Sequence, residues 1–580
     1  MELTTGKRTR VRPRGHQRSR SGCVTCRKRK VKCDEARPAC YRCISTGRTC
    51  DGYGVWGGGG RNGNLDGLNR PGDAVVATIT NPKPLHIPFL IASVAEMEHF
   101  DWFRNHTLPK LPGSFNSDFW DTLLPQACFS ERAVFNAVLA LTSVHRGGYR
   151  GLGRGKGDKK LASMNPANEA EIFTLQHYLQ AITHLQPYFS CKDRTSFRVT
   201  LIVCIVFVSI DFLRGNFNSA QNHIRGGLRL IADMQQLASS DIDNDRIGCL
   251  KAGISDSTDH WIVEILSRLY IQITLCQPPS THSYIVPFQI PSSHTPRGKF
   301  ASHRFAWLEL DRQLHRIFHL TNQARQQQTN SATPSPVPIA NTRLQQSVLG
   351  DLEHWLEILK VSKESLLGNG DVEYQKAYII LAMYHTMATI MAHTCVHPDD
   401  ESVFDAYTDS FILLTEQATE LCSIPGGSLD GTPPPLTNGM SFDTSRSIVD
   451  VGCLPQLYYT ALKCRIRRVR HRAIEILQPL IHREGFWDAR IAATIARRVV
   501  EVEEGDYYKS FEIMGDDPRE SSLPPLPECY RLRDVEAVYS GEPFDKVSLF
   551  CRRKHSGDDE QRVCIGQYEV GLQRWVDMVE

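Results

Sequence analysis

At 580 residues the chain is longer than one hydrophobic core supports, and its 41% hydrophobic and 23% charged make-up excludes a disordered or fibrous protein. The net charge of +3 conceals a division: residues 1–50 hold 15 Lys and Arg against 3 Asp and Glu, and the rest of the chain holds 52 against 61. A basic head on a mildly acidic body points to a polyanion as the partner of the head.

Residues 1–20 are basic and lack the apolar stretch of a secretory signal, so they read as a disordered arm. The longest apolar run, 199–213, falls short of the roughly twenty residues a bilayer requires and is interrupted by Thr200, Ser209 and Asp211. It is expected to be a buried helix of a soluble chain, with no membrane partner. Of the 18 cysteines, six lie within residues 23–50 and the other twelve are scattered singly between Cys128 and Cys564. Without an export signal, a reducing compartment suits both groups, and the scattered cysteines read as small buried hydrophobes.

The module at 21–53 carries the chemistry. Cys23, Cys26, Cys33, Cys40, Cys43 and Cys50 are spaced C-x2-C-x6-C-x6-C-x2-C-x6-C. Zinc takes four thiolates in a tetrahedron, and a C-x2-C pair grips one ion from a tight turn. Two separate tetrahedra need eight ligands; six suffice if two sulfurs bridge both ions, and the repeated x2, x6 halves suit such a pair. A disulfide framework fits the same spacing but not a reducing compartment. So short a segment has no apolar core, so two zinc ions are expected to supply its folding free energy. Between Cys26 and Cys33 stand Arg27, Lys28, Arg29, Lys30 and Lys32 with one apolar residue, Val31. A short helix there would offer cations to double-stranded DNA, for phosphate contact and guanine readout, with Val31 turned inward. The plainer readings are a nuclear-import signal or a solvated face.

Residues 54–84 are rich in glycine and asparagine, have no heptads, and read as a flexible linker. From 85 to 580 helical periodicity dominates, predicting an all-α body. Ser93 and Glu96 form a capping box ahead of Met97, Phe100 and Phe103, and Ser130 is expected to cap a second helix carrying Val134, Val138 and Leu141. Further helices are predicted near 168–186, 197–213, 217–234, 259–275, 304–327, 342–362, 373–394, 402–422, 455–478 and 488–503. Only 546–550 and 563–568 alternate like strands, predicting a short C-terminal β-hairpin.

Several constellations carry less. Residues 147–160 have glycines and lysines but place Arg150 and Gly157 where a phosphate-binding loop needs Gly and Ser or Thr, so a basic loop is expected. The six cations within 463–472 are expected on the solvated face or turn of a helical pair. Trp102, Trp120 and Trp487 read as core anchors, and His99, His145, His177, His184 and His223 as core or surface residues. Neither G-x-S-x-G nor H-E-x-x-H occurs, so no enzyme is indicated.

The stretch GCVTCRKRKVKCDEARPACYRCISTGRTCDGY at 22–53 closely resembles the zinc binuclear cluster (Zn2Cys6) domain of fungal transcription factors. The resemblance implies bridging thiolates at Cys23 and Cys40, with Cys26 and Cys33 completing one zinc and Cys43 and Cys50 the other. It places the main base-reading lysine at Lys30, beside Arg29, and the loop proline at Pro38, and it implies CGG-like triplets read in the major groove. The blocks at 119–145, 223–231, 454–477 and 483–504 resemble the helical regulatory domain found behind such clusters. The implied function is regulation of RNA polymerase II transcription in the nucleus, of a metabolic or secondary-metabolite gene set, with co-regulators and a second copy of the chain as partners. The competing reading, a zinc- or redox-sensing interaction protein, leaves the five cations without a purpose.

Overall fold

The structure is a computed structural model of the whole chain. It describes residues 23, 25–26, 29, 31–34, 40–46, 93–115, 117–152, 166–190, 193–240, 257–276, 298–330, 338–368, 370–424, 449, 452–480, 483–509, 523–554 and 560–576. Two compact units result, Met1–His86 and Ile87–Glu580. The first holds one described short helix, α1 (Tyr41–Ile44). The expected arm and linker lie outside the described residues.

The second unit begins as its caps dictate. Helix α2 (Val94–Trp102) starts at Ser93, whose hydroxyl accepts from Glu96 N at 3.2 Å while the Glu96 carboxylate accepts from Ser93 N. Ser130, by contrast, caps nothing that follows. It is the last residue of α3 (Leu124–Ser130), and its hydroxyl donates back to the Gln126 carbonyl at 3.3 Å. The chain bends at Glu131, in extended conformation, before α4 (Arg132–Leu152) begins. Because α4 runs to Leu152, the expected basic loop starts later than 147; its remainder, 153–165, lies outside the described residues.

Helix α4 packs on α5 (Pro166–Phe189) and α6 (Arg194–Arg214), and α6 packs on α7 (Phe217–Ser240). Helix α6 contains the apolar run 199–213 and is buried on every side, as an all-round apolar helix requires. It is long and apolar enough to cross a bilayer, but 83% of its most apolar window is buried inside the body. Asp193 caps its start, accepting from Thr195 and Ser196 N at 2.9 and 3.0 Å. Gly215 ends it at φ +77°, where a Cβ would meet the Phe544 ring at 2.9 Å. The Gly215 carbonyl also accepts from Phe544 N at 2.9 Å, so this glycine seats the C-terminal sheet on the helix end.

Helix α8 (Ser257–Cys276) leads to a three-helix layer of α9 (His303–Asn330), α10 (Ile339–Leu367) and α11 (Val372–Thr394). Trp307, Trp355 and Tyr384 fill its core; Trp355 Nε1 donates to the Ala306 carbonyl at 2.8 Å. Then come α12 (Thr408–Ser423), α13 (Leu454–Lys463), α14 (Arg467–Leu477), a two-stranded ribbon of β1 (Arg483–Glu484) and β2 (Trp487–Asp488), and α15 (Ala489–Glu504).

The run REGFWD at 483–488 explains itself in this setting. The buried Glu484 carboxylate accepts from Gly452, Cys453 and Leu454 N at 2.9, 3.0 and 3.1 Å, holding the start of α13. Gly485 turns at φ +58° against Gln272, and Trp487 Nε1 donates to the Gln272 carbonyl at 3.2 Å. Asp488 caps α15 through Arg490 and Ile491 N. Glu484→Gln is expected to cost about 1–2 kcal/mol of stability, because a neutral amide holds these three donors less well. A midpoint in urea equal to that of the unaltered chain would show that the cap is dispensable.

Two expectations change. The helix predicted over 455–478 is broken at 464–466, where the Arg465 carbonyl turns out to accept from Leu526 N at 3.1 Å. The expected hairpin is instead the middle of a four-stranded antiparallel meander, β3 (Arg533–Gly541), β4 (Phe544–Lys554), β5 (Glu560–Glu569) and β6 (Arg574–Val576). The pair β4–β5 contains the two alternating runs, with Val547 opposite Tyr568. In strand β3 Glu536 and Ala537 are buried in succession although they pair in regular register with Phe550 and Leu549, because Arg562 of β5 covers Glu536 on the face opposite Ala537. Phe217, Phe486, Tyr539 and Phe544 pack the sheet against the helices, with ring centroids 4.7–5.7 Å apart.

Candidate metal centre and nucleic-acid interface

Five of the six module cysteines fall within the described residues, all buried, and among those residues Val31 is the one apolar side chain packed against them. The two C-x2-C turns repeat one local design. Cys23 Sγ accepts from Cys26 N and Cys40 Sγ accepts from Cys43 N, each at 3.3 Å. Three-residue spacing permits this N–H···S turn and aims both sulfurs of a pair the same way. Helix α1 grows from the second turn, with Cys40 as its N-cap.

The four sulfurs of the two turns meet. Cys23 Sγ lies 3.6 Å from Cys40 Sγ and 3.7 Å from Cys43 Sγ; Cys26 Sγ lies 3.6 and 3.8 Å from the same two. A zinc tetrahedron with Zn–S bonds of about 2.3 Å has edges of about 3.8 Å. The donor set therefore fits a tetrahedral thiolate metal in both chemistry and size. Cys33 stands beside it, with its sulfur 3.4 Å from Cys23 N, and shares a second potential ligand group with Cys40 and Asp34. Cys50 lies outside the described residues.

Of the cations, the structure describes Arg29 and Lys32; Arg27, Lys28, Lys30 and Pro38 lie outside the described residues. The backbone begins as a helix at Thr25 and Cys26, and Arg29 N donates to the Thr25 carbonyl at 3.1 Å. Lys32 is exposed, while Arg29 donates to Thr46 Oγ1 at 3.2 Å, linking the two halves of the module. Two contacts had no counterpart in the sequence reading. Asp34 accepts from Tyr41 N at 2.9 Å, which holds the start of α1, and Thr46 receives Arg29. The signal for Asp34 was an acidic residue six before Cys40, within a strongly basic segment.

Residues 21–55 match the fungal Zn(2)-Cys(6) binuclear cluster domain, and residues 98–272 match the fungal specific transcription factor domain. The chain thus carries a zinc binuclear cluster domain and a fungal specific transcription factor domain, and its relatives are named as transcription regulators. Its head is the zinc cluster domain, which binds two zinc ions, and α2 to α8 fall in the regulatory domain. The chain is 24% identical, over 83% of its own length and 87% of the relative's, to the aspercryptin biosynthesis cluster-specific transcription regulator of Emericella nidulans. It is 33% identical over 23% of its length to an uncharacterized transcriptional regulatory protein of Schizosaccharomyces pombe, covering 26% of that protein. With a transcription regulator of Purpureocillium lilacinum it shares 26% identity over 38% of its length, half of that relative. No solved structure matches it.

The body of the regulator corrects one reading of its cations. Arg465 and Arg470 do not lie on a solvated face: both are buried and held by Glu503, with Arg465 also reaching Glu401 at 2.8 Å. Arg468 and Arg472 are exposed. A second grouping, Ser267, Asp311 and His315, has the residue types of a nucleophilic triad but not the order. Ser267 Oγ lies 2.7 Å from both Asp311 Oδ2 and His315 Nε2, whereas the imidazole and carboxylate are 4.0 Å apart. A relay needs the carboxylate on the imidazole. Burial holds His315 neutral, pushed down to about 3, so the trio is a polar knot in the core.

Proposed function

We propose that this chain is a nuclear regulator of RNA polymerase II transcription that reads CGG-like triplets in the major groove through residues 21–53. What supports the reading is the gathering of two C-x2-C turns, with Cys33 beside them, into a cysteine cluster able to hold metal, and the five cations between Cys26 and Cys33. In this reading Cys23 and Cys40 bridge the two ions, Cys26 and Cys33 complete one, and Cys43 and Cys50 the other. Lys30 reads a guanine edge, Arg27, Lys28, Arg29 and Lys32 supply base and phosphate contacts, and Pro38 shapes the intervening loop. Residues 1–20 act as a basic arm, 54–84 as a flexible linker, and 85–580 as the regulatory body that meets co-regulators. Pairing of two bodies would hold two heads together and raise their effective concentration on paired triplets. The aspercryptin relative is named for one biosynthetic cluster, which favours a biosynthetic gene set as the target here.

The test is specificity. Lys30→Ala is expected to lose about 1–3 kcal/mol on a CGG site and to flatten discrimination against altered triplets. Competition binding at fixed salt, with matched and altered sites, measures both. An unchanged specificity ratio would remove Lys30 from base readout.

A further inference from the structure

The regulatory body holds a cavity of about 170 Å³, partly open to solvent, where α8, α9, α11, α13 and β3 meet. Phe318, Met391, Phe404, Tyr459 and Leu462 give it an apolar, largely aromatic wall, and Lys463 enters from the end of α13. The Lys463 ammonium sits 4.9 Å over the Phe404 ring and pairs with Glu401 behind it. Glu401 also binds Arg465, Arg465 binds Glu503, and Glu503 binds Arg470. This connected set holds three cations, Lys463, Arg465 and Arg470, against two carboxylates. Within it the buried Arg465 Nε and Arg470 Nη1 find no acceptor among the described residues. Lys463, with 26% of its side chain exposed, is the member of the set that lines the cavity.

We propose that this cavity is a regulatory site for a small organic acid of one aromatic ring, whose carboxylate pairs with Lys463. Size sets the ring count, since an apolar protein cavity of about 150 Å³ accommodates benzene. The aromatic wall favours a ring, and the surplus cation favours an acid over its neutral analogue. A guest there touches α8, α9, α11 and α13 and the first strand of the sheet. Its binding therefore stabilises their mutual packing in proportion to its occupancy. The regulatory consequence rests on the function proposed above; the binding itself does not.

The experiment is calorimetric titration of the full-length, zinc-loaded chain with benzoate, 4-hydroxybenzoate and benzamide, alongside DNA binding on the same preparation. The acids should bind, with benzamide weaker by about tenfold or more. Lys463→Gln should erase that preference. Thr321→Phe, which fills the cavity from α9 without touching the ion network, should abolish binding of all three while leaving the thermal unfolding cooperative. Absence of acid binding by the folded chain, equal affinity for acid and amide, or binding unchanged in Thr321→Phe overturns the proposal. Loss of DNA recognition with intact acid binding would instead count against the proposed function alone.

Discussion

Removing the zinc ions is expected to unfold residues 21–55 and to abolish specific DNA binding, while the helical body keeps its cooperative transition. Among the described residues the head buries five cysteines with Val31 alone packed against them, so metal–thiolate bonds would take the place of an apolar core. Structural zinc contributes on the order of 10–16 kcal/mol in small modules near neutral pH, far more than such a segment gains by burial. The assignment of bridging ligands sharpens the result. Cys40→Ser should reduce bound zinc from two ions per chain towards none, because a bridging sulfur serves both, whereas Cys50→Ser should chiefly disturb one. Native mass spectrometry of the two variants gives the stoichiometry. Equal losses would mean that Cys40 and Cys50 hold equivalent positions.

The second large effect belongs to the body. Glu503→Ala is expected to destabilise the fold by about 3–5 kcal/mol, the range for removing one partner from a buried charge network. Glu503 accepts from Arg465 at 3.0 Å, from Arg470, and from Leu532 N at 2.8 Å, and all of these donors are buried. Alanine would leave Arg470, among the described residues, its bond to the Ala461 carbonyl, and would detach Leu532, which leads into β3. The same network gives a pH dependence. Burial alone would raise the Glu401 carboxyl, but Lys463 and Arg465 outweigh it and hold it below the usual carboxylate range. A lowered folded value means that the contribution of Glu401 is fully present above about pH 4.5 and is lost as the pH falls through its folded value. Chemical denaturation of the unaltered and Glu503→Ala chains measures the first effect. A change below about 1 kcal/mol would place these arginines in effective contact with water.

The cysteine spacing and the helical periodicity were legible because both are local. A C-x2-C pair aims two sulfurs through one turn of backbone, so residues three apart define half of a metal site without help from the rest of the chain. Apolar residues at helical spacing likewise placed most helices of the body, and Ser93 with Glu96 marked a helix start by residues in contact within one turn. Ser130 misled because its hydroxyl can bond forward to a new helix or back to the old one. The bend at Glu131, set by packing of α3 on α4, decided for the old one.

By itself, then, the sequence determined a thiolate metal head with cations at its first turn and a helical body. The tertiary structure alone decided what crosses from one element to another. It broke 455–478 at 464–466 so that Arg465 could reach Glu401 and Glu503, residues 64 and 38 positions away. It turned a hairpin into a meander, because β3 and β6 are held by their pairing with β4 and β5. The cavity beside Lys463 draws its wall from residues 274 to 535, and no local spacing encodes a void among five elements. Burial is a property of neighbours, and a run of arginines reads as solvated until the carboxylates that pair with it arrive from elsewhere in the chain.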